Sequence, residues 1–107
     1  MNPLCSVDLT AMDDAVVATL LGEIDLSNVG EVEEQLAAGA RNSDALVVDL
    51  RELRYIDSSG FGMIERLNRK TQLRVVLTED AVIHRAFTVT GLSQVVPIYL
   101  SIDDALA

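Results

Sequence analysis

Two short apolar runs separated by an amphipathic segment constrain the fold of this chain more than any other feature of the sequence. The runs cover residues 15–21 and 45–50, which suits buried strands and is far too short to cross a membrane. Between them, apolar residues recur at spacings of three and four: Val29, Val32, Leu36 and Ala40. Two strands joined by a helix lie parallel in one sheet. The sequence therefore predicts an α/β unit.

The chain before this unit has the pattern of a hairpin. Val7 and Leu9 alternate with polar residues, and residues 12–14 offer turn chemistry before the first apolar run. After that run we expect residues 22–26 to form a short polar loop. Ser27 or Asn28 then caps the first helix.

After the second apolar run, predicted helices and strands continue to alternate along the chain. Phe61, Ile64 and Leu67 predict the inner face of a short second helix, and residues 73–77 predict another strand. Residues 78–80 should then begin a third helix, and Gly91 should end it in a left-handed conformation. The apolar positions of this third helix are Val82/Ile83, Ala86/Phe87 and Val89.

The C-terminal segment predicts one further strand and a closing turn. Residues 95–100 form an apolar run whose Pro97 has no N–H to donate, which places the strand at the edge of the sheet. Ser101 can cap a final helical turn. We therefore predict one α/β domain over residues 1–107, with a mainly parallel sheet, an N-terminal hairpin strand and interspersed helices.

Composition excludes several classes of function. The net charge of −9 would repel nucleic acid and anionic lipid, and no segment is suited to direct membrane insertion. The single cysteine and single histidine cannot build an internal disulfide or a ligand cluster, so we expect no metal and no cofactor. The N-terminal residues do not resemble a secretory signal, and we expect a cytoplasmic protein.

The segment from Asp57 to Gly60 reads Asp-Ser-Ser-Gly, and it lies between the second apolar run and a predicted helix. Asp and Ser cap helix starts, and the first helical turn presents unpaired N–H groups and the positive end of the helix dipole. A serine hydroxyl should be exposed here. A phosphate on it should find an electrostatic socket in those N–H groups.

Enzymatic alternatives lack the necessary spacing. The chain has no Gly-x-Ser-x-Gly elbow and no phosphate-binding Gly-Lys-Ser/Thr loop, and neither Ser58 nor Ser59 has a lysine three residues later. His84 falls within the predicted third helix rather than near a serine. Asp25 and Asp57 could be imagined as an acid–base pair, but turn formation and capping account for both. We predict no catalytic residue.

Three signatures together resemble the STAS domain of anti-sigma factor antagonists. They are residues 53–62, Leu-Arg-Tyr-Ile-Asp-Ser-Ser-Gly-Phe-Gly, then residues 22–25, Gly-Glu-Ile-Asp, and residues 90–92, Thr-Gly-Leu. They occur in the family's order and span nearly the whole chain. The resemblance implies a STAS-like fold and a regulator rather than an enzyme.

The resemblance also implies a phosphorylation switch. The unphosphorylated protein would bind an anti-sigma factor serine kinase, which itself binds ATP or ADP, and so free a sigma factor. Phosphorylation of Ser58 would release the kinase until a serine phosphatase resets the switch. By the same resemblance, the partner-binding residues are Gly22, Glu23, Asp25, Asp57, Ser58, Ser59 and Gly60.

One alternative keeps this fold and changes the role. STAS domains also serve as accessory subunits or tails of membrane transporters for lipids or anions. The acidic chain with both serines present favours the signalling form.

Overall fold

The structure, a computed structural model, describes residues 4–79 and 82–107. Its elements alternate much as the sequence predicts. In chain order they are β1 (Cys5–Met12), β2 (Ala15–Ile24), α1 (Val29–Ala40), β3 (Ala45–Asp49), β4 (Leu53–Ile56), α2 (Ser58–Lys70), β5 (Leu73–Val76), α3 (Val82–Val89), a 3₁₀ turn (Leu92–Gln94), β6 (Ile98–Tyr99) and α4 (Ile102–Leu106).

The strands form one sheet in the order β1-β2-β3-β5-β6, and β4 pairs with β2 beyond the end of β3. Only the β1–β2 hairpin is antiparallel among the described pairs, and the others are parallel. The predicted α/β fold, its hairpin strand and its mainly parallel sheet are confirmed.

Side chains alternate between the two faces of the sheet. One face packs against α1, α2 and α3 in a large apolar core whose fully buried members include Leu20, Leu36, Ile64 and Phe87. The other face is covered by the short α4, where Ala105 packs against Val17, Val47 and Val76. None of the helices in the described ranges is both long and apolar enough to cross a membrane.

Strand β4 is absent from the sequence prediction. A bulge in its pairing with β2 explains this, because the register shifts between Gly22 and Glu23 and leaves Arg54 without a partner. Leu53 and Ile56 consequently both face the core, three residues apart, and the period-two pattern of a strand is lost.

The step from β3 to β4 is held by a buried carboxylate. Asp49 is 5% exposed and accepts two guanidinium hydrogen bonds from Arg51, each 2.9 Å long, as well as the Arg51 backbone N–H at 3.0 Å. This local pair turns the chain out of β3, so that β4 can lie beside β2.

Several predicted boundaries are wrong. Residues 22–24 continue β2 instead of forming a loop, and α2 is 13 residues long rather than short. The final strand shrinks to Ile98–Tyr99, because the N–H groups of Val95 and Val96 donate to Leu92 in the 3₁₀ turn. Strand β6 does lie at the sheet edge, as Pro97 predicts.

The third helix agrees with its prediction in part. Ile83 and Phe87 are buried, and Gly91 has the predicted left-handed conformation with φ of 82°. Val82 and Val89 are 82% and 80% exposed and do not belong to the core. The predicted helix entry at residues 78–80 falls partly outside the described residues, since Asp80 is not among them.

Two glycines are required by close packing. Gly22 has φ of +113°, and a Cβ there would overlap the carbonyl of Leu4 at the start of β1. A Cβ on Gly60 would overlap the Ile56 side chain and lie 3.2 Å from that of Ile24. Gly60 therefore allows the first turn of α2 to rest directly on β2 and β4.

This packing predicts different outcomes for two glycines in α2. Gly60→Ala should lower the free energy of unfolding by about 1–3 kcal/mol, because the added methyl group enters a filled core. Gly62→Ala is the matched control: its Cβ would approach only the Arg66 guanidinium, at 3.3 Å, and not the apolar core. It should be neutral or stabilising by about 0.5–1 kcal/mol. Urea denaturation measures both, and equal losses would contradict this account of Gly60.

Candidate functional site

Two short turns of the same sequence pattern lie side by side at one edge of the sheet. Residues 25–28 follow β2 and residues 57–60 follow β4, and each begins Asp-x-Ser. Ile24 and Ile56 are direct partners in the parallel ladder, and the Asp57 N–H donates to the Ile24 carbonyl at 3.2 Å. We call residues 25–28 the Leu26 turn and residues 57–60 the Ser58 turn.

Asp57 caps helix α2 and organises the Ser58 turn. Its Oδ1 accepts the backbone N–H of Ser59 at 2.9 Å and that of Gly60 at 3.3 Å. The same oxygen accepts the Ser59 hydroxyl at 2.5 Å. The carboxylate thus satisfies N–H groups that a helix start would otherwise leave without partners.

The two serines of this turn differ. Ser59 is half-buried and its hydroxyl is bound to Asp57, whereas Ser58 is exposed at the first residue of α2. Among the described residues, no side chain or backbone group accepts or donates a hydrogen bond at the Ser58 hydroxyl. Ser58 is therefore the hydroxyl that another molecule can reach.

The electrostatic socket expected for a phosphate is partly filled by Asp57. Asp57 Oδ1 already accepts the first-turn N–H groups of Ser59 and Gly60, and the Asp57 carbonyl accepts the N–H of Phe61 at 3.1 Å. A phosphate on Ser58 would instead lie beside a carboxylate of the same sign.

The Leu26 turn repeats this geometry without a helix cap. Asp25 Oδ1 accepts the Ser27 N–H at 2.8 Å and the Ser27 hydroxyl at 2.5 Å. The Asn28 side chain accepts the Asp25 N–H and donates to the Glu23 carbonyl, both at 2.9 Å. Neither Ser27 nor Asn28 caps α1 with its side chain, because both are used within the turn.

Electrostatics link the two turns through Asp57. The Ser59 hydroxyl lowers the pKa of Asp57 most, and the backbone N–H groups of Gly60, Ser59 and Leu26 lower it further. All of these groups favour the charged form of the carboxylate. Asp57 is consequently a carboxylate at neutral pH that holds its own turn and also interacts with the neighbouring one.

The structure brings some of the predicted site residues to one surface and not others. Asp25, Asp57, Ser58 and Ser59 lie together in the two turns. Gly60 is buried beneath them.

Gly22 and Glu23 lie further back, within β2. Gly22 contacts the start of β1. Glu23 is partly exposed and reaches Arg54 at 3.7 Å.

Sequence reasoning missed two residues of this site. Leu26 is 80% exposed at the centre of its turn, and Asn28 holds that turn in shape. The repeated Asp-x-Ser pattern was the available signal. His84 lies on α3 rather than in either turn, and the described residues contain no group of acidic, histidine and cysteine side chains that could hold a metal ion.

Comparison with known proteins identifies the family of this chain. The family profile of the STAS domain matches residues 6–105. The chain belongs to the STAS domain family. An anti-sigma F factor antagonist of Paenibacillus polymyxa is 30% identical to this STAS domain over 90 residues, which cover 78% of this chain and 77% of that protein.

Solved structures share the fold of this STAS domain. The crystal structure of an anti-sigma factor antagonist from Mycobacterium paratuberculosis has a TM-score of 0.87 and 28% identity, and the match covers 95% of this chain and 91% of that one. The phosphorylated form of SpoIIAA, a Bacillus cell fate determinant, has a TM-score of 0.65 and 19% identity over 94% and 96% of the two chains. At 19% identity, the similarity to SpoIIAA shows a shared fold and nothing more.

Because the two serines make different contacts, their alanine variants should differ in stability. Ser59→Ala should lower the free energy of unfolding by about 1 kcal/mol, because it removes the hydroxyl bound to Asp57. Ser58→Ala, the control one residue away, should change it by less than about 0.5 kcal/mol. Thermal or urea denaturation compares them, and a larger loss at Ser58 would contradict these assignments.

The lowered pKa of Asp57 predicts a pH dependence. Its folded-state pKa lies below the unfolded value of about 3.9, so the stability it contributes is complete above that value and is lost as the pH falls through the folded pKa. Asp57→Asn should therefore be less stable than the wild type at pH 7, with a gap in the free energy of unfolding that narrows as the pH falls below the unfolded pKa of about 3.9. A gap independent of pH in urea titrations would contradict the charged cap.

Proposed function

We propose that this STAS domain is an anti-sigma factor antagonist that is controlled by phosphorylation of Ser58. The observation that carries the proposal is the difference between the two serines, since Ser58 is exposed and its hydroxyl makes no hydrogen bond among the described residues, while Ser59 is bound to Asp57. A kinase needs an accessible hydroxyl. The first serine of the turn provides it.

The comparisons support this class of function. The curated relative with 30% identity is an anti-sigma F factor antagonist, and the solved structure with 28% identity is also described as an anti-sigma factor antagonist. We infer that this chain likewise binds an anti-sigma factor, and that the anti-sigma factor is a serine kinase that binds ATP or ADP itself. The chain would be the acceptor in this reaction and not an enzyme.

The proposed switch is electrostatic and local. With a neutral hydroxyl at Ser58, the kinase surface closes over the two turns and its sigma factor is set free. Phosphorylation adds roughly −1.5 to −2 charges and three acceptor oxygens at this point. Because Asp57 already occupies the N–H groups of Ser59 and Gly60, these groups do not take up the new charge, and it opposes the partner directly.

The rest of the cycle follows from this switch. Once released, the kinase binds the sigma factor again. A serine phosphatase then removes the phosphate and restores the free hydroxyl of Ser58. The partner surface includes Asp25, Asp57, Ser58 and Ser59, with Gly22, Glu23 and Gly60 behind them as its support. We place this cycle in the cytoplasm and in a single domain that spans residues 1–107.

The proposal predicts one phosphate, on Ser58. Each purified anti-sigma factor kinase of the source organism is incubated with the protein and ATP, and the product is mapped by peptide mass spectrometry. Ser58→Ala should remain unmodified, whereas Ser59→Ala should still be phosphorylated. Modification at Ser59, or no modification by any of the kinases, would contradict the proposal.

Binding should follow the charge at Ser58. In calorimetric titrations with the kinase and ADP, Ser58→Ala should bind like the wild type, while Ser58→Asp should bind at least tenfold more weakly, which corresponds to about 1.4 kcal/mol. Asn42→Asp is the matched control, since it adds the same charge at an exposed turn after α1, at the opposite end of that helix. An equal loss for both aspartates would indicate net charge rather than a local switch.

A further inference from the structure

Leu26 is a large apolar side chain held out into solvent by a rigid turn. It is 80% exposed, although the residues on both sides of it are fixed by hydrogen bonds from Asp25 and Asn28. Nothing in the packing of the described residues requires a leucine here. A side chain displayed on a fixed backbone loses little conformational freedom when it is bound.

Leu26 occupies the same place in its turn that Ser58 occupies in the other. Both are the middle residue of Asp-x-Ser, and the preceding isoleucines, Ile24 and Ile56, are ladder partners. Neighbouring strands lie about 4.8 Å apart, so the two middle residues emerge at the same edge as close neighbours. A protein that covers the Ser58 hydroxyl must therefore also meet Leu26.

We propose that Leu26 is the apolar anchor of the kinase surface that receives Ser58, and that this kinase carries an apolar pocket beside its phosphoryl-transfer site. This inference rests on the proposed function and adds to it a residue that determines affinity. Anchors of this kind are buried at the centre of an interface and contribute a large share of its binding energy.

The surroundings of Leu26 define the chemistry of that pocket. Asp25 and Asp57 lie in the two turns on either side, and each carboxylate accepts hydrogen bonds from groups of its own turn. The nearby Glu23 is paired with Arg54. The complementary partner surface is an apolar pocket with a basic rim, which suits the interface anatomy of a buried core and a polar edge.

The chain supplies a matched control for this proposal. Val89 is also 80% exposed, but it lies on α3 and outside both turns. Its truncation removes a comparable exposed apolar group at a different place. Both variants should fold like the wild type, because neither side chain is packed in the core.

The test measures the affinity of the wild type, Leu26→Ala, Leu26→Met and Val89→Ala for the purified kinase that phosphorylates the wild type, by calorimetry with ADP. We expect Leu26→Ala to bind roughly 10- to 100-fold more weakly, and Leu26→Met and Val89→Ala to bind within about threefold of the wild type. The same variants are examined by circular dichroism to establish that each is folded.

The outcomes separate this inference from the proposed function. If Ser58→Asp weakens binding and Leu26→Ala does not, the anchor is refuted and the phosphorylation switch stands. If Leu26→Ala and Val89→Ala lose affinity equally, general surface hydrophobicity accounts for the effect, and the anchor is also refuted. If no anti-sigma factor kinase of the organism modifies or binds the wild type, both proposals are wrong.

Discussion

The carboxylate of Asp57 is the contact on which the functional edge of this protein depends. The residue follows β4, and its carboxylate caps α2 and binds the half-buried Ser59. The Asp57 backbone N–H donates to the carbonyl of Ile24 at the end of β2. These contacts occupy the hydrogen-bonding groups of Ser59 and Gly60 and leave Ser58 exposed. One residue thereby supports the turn and leaves accessible the hydroxyl that the proposed switch requires. Its ionised form is also the source of the like charge that a phosphate would meet.

The parallel pairing of β2 and β4 brings two Asp-x-Ser turns together in one surface. Because parallel strands end at the same edge, two Asp-x-Ser turns that are distant in sequence become neighbours. Helices α1 and α2 leave from these turns and are joined by a salt bridge in which Arg66 lies 2.7 Å from Glu33. This pair lowers the pKa of Glu33, and it fixes the two helices relative to each other. The relative position of the two turns thus depends also on this contact between the helices that follow them.

Much of the fold, but less of the site, could be predicted from the sequence. The buried runs of β2 and β3 and the helical spacing of α1 are direct signals of burial, and they specify a parallel unit. Strand β4 gave no such signal, because the bulge at Arg54 removes its alternation. The Asp57 cap was visible as a motif. The same carboxylate accepts the N–H groups of Ser59 and Gly60 and so partly fills the expected phosphate socket. This depends on side-chain geometry that sequence spacing does not encode.

The most direct test of the central claim is a map of the partner's footprint on the unphosphorylated protein. Backbone amide NMR of the isotope-labelled chain, titrated with the kinase and ADP, reports every contact in one experiment. The account predicts that signals of the Leu26 and Ser58 turns change or broaden first, while those of α4 and β6 on the far part of the sheet remain unchanged. Changes centred on α4 or β6, with both turns unaffected, would contradict it.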